Sequence, residues 1–207
     1  MVAAQGHLAD EDGAPLVFQR AVEALGTART RPEVELAQIP APKRLAPHAY
    51  AVEAAVLVEG EELADGRLVL LHDPVGQENW HGTFRVVTLA RAELEPEMAA
   101  DPLLPDVCWS WLTGALAARG AAYSEPSGTV SCSSSHHFGG LAERPASTEI
   151  EVRASWTPAD SAAGFPDMAA HLVAWCELLC TSAGLPPTLG EPGGSGIVSL
   201  PNRRGPR

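Results

Sequence analysis

At residues 104–119 the chain reads LPDVCWSWLTGALAAR, a segment whose apolar side chains recur at helical spacing. One apolar stripe of this predicted helix comprises Leu104, Val107, Cys108, Trp111, Ala115 and Ala118. A second stripe lies on the other side and comprises Trp109, Leu112 and Leu116, because residues two apart point about 200° apart around a helix. A helix that is apolar on two faces is buried on both. We therefore expect one face to pack on a sheet and the other on the C-terminal helix or on a second copy of the chain, with Trp109, Leu112 and Leu116 as the interface candidates.

The segments around this helix predict an α+β fold. Short turns and runs of β-branched and aromatic residues precede and follow it, which is typical of an antiparallel meander. The predicted helices span residues 15–30, 104–119 and 167–183, and the predicted strands span residues 34–39, 50–58, 66–72, 83–94, 129–138 and 148–156. The first strand is short and followed by two prolines, which suits an edge. We predict an antiparallel sheet of about five or six strands with helices packed on it, in the order α-(β)-β-β-β-α-β-β-α.

Composition predicts a single domain over residues 14–187. A chain of 207 residues with 45% hydrophobic residues is long enough to bury one sizeable core. Residues 1–13 are polar, and residues 188–207 are rich in Pro, Gly, Ser and Arg, so we expect both ends to be disordered.

The charge excludes two classes of partner. The net charge of −12 repels phosphate backbones and anionic membranes, so direct nucleic-acid and membrane binding are not expected. The N-terminus lacks the features of a signal peptide, and no apolar run is long enough to span a bilayer. The four cysteines are therefore interpreted as reduced, buried thiols of an acidic cytoplasmic protein.

Two groups of residues are the candidate binding site. Trp80 and His81 lie in a predicted loop at residues 72–82, where they could contact a ligand or serve only the turn. His136 and His137 follow a serine run, and neighbours on a strand point to opposite faces, so we predict no metal site there. Carboxylates at residues 93–97 could join them in a small enzyme or could simply favour the start of the next helix. The chain carries no Walker loop, GxGxxG, GxSxG or HExxH motif, and we assign no catalytic residue and no cofactor.

Several stretches resemble an actinobacterial family known as domain of unknown function 3000. They are RLVLLHDP at residues 67–74, TLARAELEPEMAADPLLPDVCWSWL at residues 88–112, ASWTP at residues 154–158 and AWC at residues 174–176. The resemblance covers about residues 14–187 and implies no activity. Genes of such proteins often neighbour those of a D-type exoribonuclease, which implies an accessory role in RNA processing as one alternative. The element order is also similar to that of type III secretion chaperones and YbjN-like proteins, in which the middle helix serves a homodimer.

Three hypotheses follow from the sequence. The first is a non-enzymatic protein-binding or chaperone-like adaptor that acts as a homodimer. The second is a small enzyme or ligand-binding domain that uses the loop at residues 72–82 with nearby His and Glu residues. The third is the accessory protein for RNA processing.

Overall fold

The computed structural model describes residues 13–94, 98 and 101–186. The segments predicted to be disordered lie outside these residues, apart from Gly13, and so do Glu95 and Glu97 of the acidic stretch. Within the described residues, no helix is long and apolar enough to cross a membrane.

Six antiparallel strands form one sheet in the order β1-β2-β3-β4-β6-β5. Their bounds are Val34–Ile39 (β1), His48–Val58 (β2), Glu61–Gln77 (β3), Gly82–Leu94 (β4), Tyr123–Ser135 (β5) and Ser147–Pro158 (β6). The predicted short first strand is indeed an edge, and β5 is the other edge. Only β5 and β6 depart from sequence order, because β6 pairs with both β4 and β5.

The α-helices of the described residues number three, which confirms the predicted α+β class and its element order. Their bounds are Leu16–Gly26 (α1), Leu104–Ala118 (α2) and Met168–Ser182 (α3). The carboxylate of Asp167 caps α3 by accepting a hydrogen bond from the amide of Ala170. Gly120 and Gly184 end α2 and α3 with φ angles of 64° and 74°, a left-handed conformation that glycine adopts without strain.

Helix α3 occupies the centre of the core. It contacts β2, β3 and β4 on one side, and α1 and α2 on others. Ten of its fifteen residues are buried. The closest approach to the sheet is at Gly66 in β3, where an added Cβ would lie 2.8 Å from the indole of Trp175 and 3.1 Å from a methyl of Leu179. A glycine inside a strand is the usual means of admitting so close a neighbour.

Helix α2 packs on the sheet at β5 and on the C-terminal helix α3, as one of the two expected arrangements has it, but its buried residues do not lie on two opposite faces. Its fully buried residues are four apart, Leu104, Cys108, Leu112 and Leu116, and form a single stripe. Trp109 and Trp111 flank this stripe and lie about 160° apart by the shorter way around the helix. Members of both predicted stripes thus share one wide face, whereas Val107 and Ala118 lie outside it and are exposed. Its partners are α3 and β5, and Leu112 and Leu116 are each 1% exposed inside the core of a single chain.

The three helices cover one face of the sheet. Side chains that alternate toward the helices along β3, β4 and β6 are buried, among them Leu68, Val86 and Trp156. The opposite side of the sheet, which we call the open face, carries the intervening residues, such as Arg67, Val69, Val87, Leu89, Arg153 and Ser155. No helix of the described residues covers it.

Candidate functional site

Two rows of cross-strand neighbours cross the open face. The first row runs from Val69 through Val87 and Ser155 to Ser127, on β3, β4, β6 and β5. The second row runs through the same strands and comprises Arg67, Leu89, Arg153 and Thr129. The first row therefore changes from aliphatic side chains at the middle of the sheet to hydroxyl groups at the β5 edge, whereas the second row has one aliphatic side chain, two arginines and a threonine at that edge.

The two rows line a shallow, open groove of about 500 Å³. Its lining residues are Arg67, Val69, Val87, Thr88, Leu89, Ser127, Gly128, Thr129, Arg153, Ala154 and Ser155. This lining contains two arginines and no Asp, Glu, His or Cys. The groove thus offers aliphatic surface, hydroxyl groups and positive charge, but no general acid or base from its lining.

A buried arginine lies directly beside the groove. Arg85 precedes Val87 on the same face of β4 and is only 7% exposed. Its Nη1 donates hydrogen bonds to the carbonyl of Glu125 (3.0 Å) and to Oγ1 of Thr157 (3.1 Å). Its Nη2 donates to Oγ of Ser127 (3.1 Å) and to Oγ of Ser155 (2.7 Å), both of which line the groove. Burial lowers the pKa of Arg85, and the carboxylate of Glu125 counteracts this effect.

The predicted loop at residues 72–82 is largely strand. Strand β3 continues to Gln77 and β4 begins at Gly82, so a single 3-10 turn, Glu78–Trp80, connects them. Trp80 is 9% exposed, and its carbonyl accepts a hydrogen bond from the hydroxyl of Thr157. The tryptophan is therefore part of the structure of the turn, which was one of the two interpretations given for this segment.

His81 is exposed and contacts the carboxylate of Glu125, with 3.1 Å between Nδ1 and Oε1. Both residues have positive φ angles, 52° and 49°, which are uncommon for residues other than glycine. Glu125 also supplies one of the four acceptors of Arg85, through its backbone. His81 thus adjoins the arginine network, although it does not line the groove.

The structure separates the two pairs of predicted site residues. Glu125, which contacts His81, lies near the start of β5, whereas His136 and His137 follow its last residue. Eleven strand residues at about 3.3 Å each correspond to about 36 Å. Trp80 and His81 therefore do not share a site with His136 and His137. Among the described residues, no three His, Cys, Asp or Glu side chains are grouped to hold a metal ion.

Residues 14–191 match a family model described as a protein of unknown function, DUF3000. The chain belongs to the DUF3000 family. No curated protein and no solved structure matches it. The resemblance drawn from RLVLLHDP and the other quoted stretches is thus confirmed, whereas no structural neighbour supports the likeness to YbjN-like proteins.

The groove of this DUF3000 chain was not predicted from its sequence. One signal for it exists in β4, where Arg85 is the only charged residue in the stretch TFRVVTLA at residues 83–90. A buried arginine requires several acceptors close by. Its acceptors lie 40 to 72 positions further along the chain, so only the register of β4, β5 and β6 reveals them.

Proposed function

We propose that this chain is a binding protein without catalytic activity of its own, and that the groove on the open face holds a small ligand with an apolar part. The observation that carries the proposal is the composition of the groove lining. Val69, Val87 and Leu89 provide half-buried aliphatic surface on a face that no helix of the described residues covers. The absence of a titratable acid or base among the lining residues favours binding over acid–base chemistry.

The proposal is tested with a neutral fluorescent probe, N-phenyl-1-naphthylamine, titrated into the full-length protein. We expect a saturable increase in fluorescence that octan-1-ol displaces. Val87→Asp places a charge in the middle of the aliphatic surface and is expected to abolish the signal. Val75→Asp is the matched control, because Val75 is 94% exposed and lies outside the groove. Equal probe binding by wild type and Val87→Asp, at unchanged circular dichroism, would exclude the groove as the binding site.

A homodimeric adaptor is the second candidate, and the exposed side of α2 favours it. Leu103 and Val107 are 61% and 40% exposed, and nothing lies within 4 Å of the Cβ position of Gly114 further along the helix. A helix side with two exposed aliphatic residues and a glycine suits close packing against another helix. Val107→Glu is expected to convert a dimer into a monomer in sedimentation equilibrium, whereas Leu16→Glu on exposed α1 leaves it unchanged. A wild-type protein that stays monomeric at high concentration contradicts this candidate.

A further inference from the structure

The groove ends at two serine hydroxyl groups, one of which has a hydrogen without an acceptor among the described residues. Ser127 and Ser155 each accept a hydrogen bond from Nη2 of Arg85, and their own oxygens are 3.1 Å apart. Each hydroxyl has a single hydrogen, and one of the two hydrogens forms the hydrogen bond between the two serine oxygens. The other hydrogen has no acceptor among the described residues, and both serines line the groove. The pair therefore presents one donor toward whatever occupies the groove.

The charge behind this donor is not matched by a bonded carboxylate. All four acceptors of Arg85 are neutral: one backbone carbonyl and three hydroxyl oxygens. The nearby carboxylate of Glu125 pairs with His81 instead. A hydroxyl that accepts from a guanidinium is polarised and becomes a stronger donor to a third group. An anion that accepts from the hydroxyl pair would add a second countercharge to that of Glu125, whose carboxylate acts on the guanidinium without a hydrogen bond to it.

The rim of the groove adds to the positive charge. Arg67 and Arg153 line it, and no carboxylate does. Arg153 shares its charge with Glu151, with 2.9 Å between Nη2 and Oε1, while Arg67 forms no ion pair within the described part of the chain. The lining therefore carries two arginines and no carboxylate, and the nearest acidic neighbours, Glu53 opposite Arg67 and Glu151 beside Arg153, lie outside it.

We propose that the ligand of the groove is an anionic amphiphile whose carboxylate or phosphate oxygen accepts a hydrogen bond from the Ser127–Ser155 pair. Its apolar body then lies on Val87, the cross-strand neighbour of Ser155, and on Val69 and Leu89 beside Val87. This assignment rests on the proposed binding function and names the class of ligand.

The test compares four probes of equal chain length as competitors of N-phenyl-1-naphthylamine: octanoate, octyl phosphate, octan-1-ol and octylamine. We expect wild type to bind octanoate or octyl phosphate about tenfold more tightly than octan-1-ol, the gain typical of a charge-assisted hydrogen bond. Octylamine is expected to bind weakest. The relative affinities of octanoate and octyl phosphate distinguish the two head groups.

Two sets of variants locate the preference. Ser127→Ala with Ser155→Ala is expected to bring the affinities for octanoate and octan-1-ol close together while octan-1-ol binding is retained. Ser131→Ala with Ser133→Ala alters the same face of β5 outside the groove and should leave the preference intact. If the first double variant does not fold, Ser127→Ala alone and Arg67→Gln serve instead, since both residues are exposed.

The outcomes separate this assignment from the proposed function. Equal affinity for octanoate, octan-1-ol and octylamine in wild type, with displacement of the dye, contradicts the anionic ligand and leaves the groove as a binding site. A preference for octanoate that survives the serine and arginine substitutions also contradicts the assignment. Failure of every probe to bind contradicts the proposed function itself.

Discussion

The indole Nε1 of Trp156 donates a hydrogen bond of 3.1 Å to Nδ1 of His171 in the middle of the core. Both side chains are 1% exposed. Because Nδ1 accepts this bond, the neutral imidazole carries its proton on Nε2. Burial lowers the pKa of His171 to about 4, against smaller opposing effects of Asp167 and the backbone of Ala122.

This arrangement predicts a loss of stability in mild acid. The imidazole has a pKa of about 6.5 in the unfolded chain, so below that pH the unfolded state binds a proton that the folded state does not. The contribution of His171 is complete above about pH 6.5 and declines as the pH falls toward 4. We expect a decrease of about 2 kcal/mol in the free energy of unfolding between pH 7.5 and pH 5 from this residue. Urea unfolding across this range measures it, and His171→Gln should flatten the dependence.

A second prediction contrasts His171 with the other buried histidine, His72. His171→Phe leaves the indole N–H of Trp156 buried without an acceptor and is expected to cost about 1–3 kcal/mol at pH 7.5. His72 stacks on Phe84, with ring centroids 4.2 Å apart, and its Nε2 has no partner within the described residues. His72→Phe keeps the stacking and loses only the hydrogen bond between Nδ1 and the backbone carbonyl of Thr83, an exposed residue. We therefore expect the free energy of unfolding to change by less than about 1 kcal/mol. Comparable losses in the two variants would contradict this account.

Two glycines are expected to respond in opposite directions to alanine. A Cβ at Gly128 would lie 2.6 Å from Cζ3 of Trp109 and against the carbonyl of Arg153. Gly128→Ala must therefore displace the helix α2 or the edge strand, and we expect a loss of about 1–3 kcal/mol. Gly114→Ala meets nothing within 4 Å in an exposed helix interior and is expected to gain about 0.5–1 kcal/mol. Thermal unfolding of the two variants measures both, and destabilisation by Gly114→Ala would indicate that another molecule contacts α2.

Thiol labelling is expected to distinguish one cysteine from the rest. The four cysteines are free, but Cys132 is exposed on β5, so the prediction that all are buried is wrong for this residue. Burial raises the pKa of Cys108 to about 12 and that of Cys180 to about 11, and it also raises the pKa of Cys176. Because the thiolate is the reactive form, iodoacetamide should modify Cys132 alone in the native protein and all four in denaturant. Mass spectrometry of Cys132→Ser, which should remain unlabelled when folded, provides the control.

Local sequence patterns predicted the helices and strands well, whereas their arrangement in space depends on contacts between residues far apart in the chain. Two predictions that agree with the structure are the strand at residues 34–39 and the start of the helix at Leu104. Both depend on the spacing of apolar residues and on prolines and glycines at the ends of a segment, which are properties of the segment itself. Which helix lies at the centre depends on a neighbour in space, and Gly66 beneath Trp175 decides it. Likewise, the groove depends on the register that aligns Val87 with Ser155 and Ser155 with Ser127. The positions of the two tryptophans at 109 and 111 are compatible with one wide buried face and with two opposite buried faces. The sequence pattern therefore could not distinguish these two arrangements.

The central position of α3 has a consequence for synthesis of the protein on the ribosome. Of the described elements, α3 is the last to be made, yet it contacts β2, β3, β4, α1 and α2. Before residues 168–182 emerge, the inner surface of β2, β3 and β4 lacks the helix that packs on it, and β5 cannot pair until β6 has been made. The apolar side chains of these strands, Leu68 and Val86 among them, therefore lack their helix partner in a nascent chain until α3 has left the ribosome.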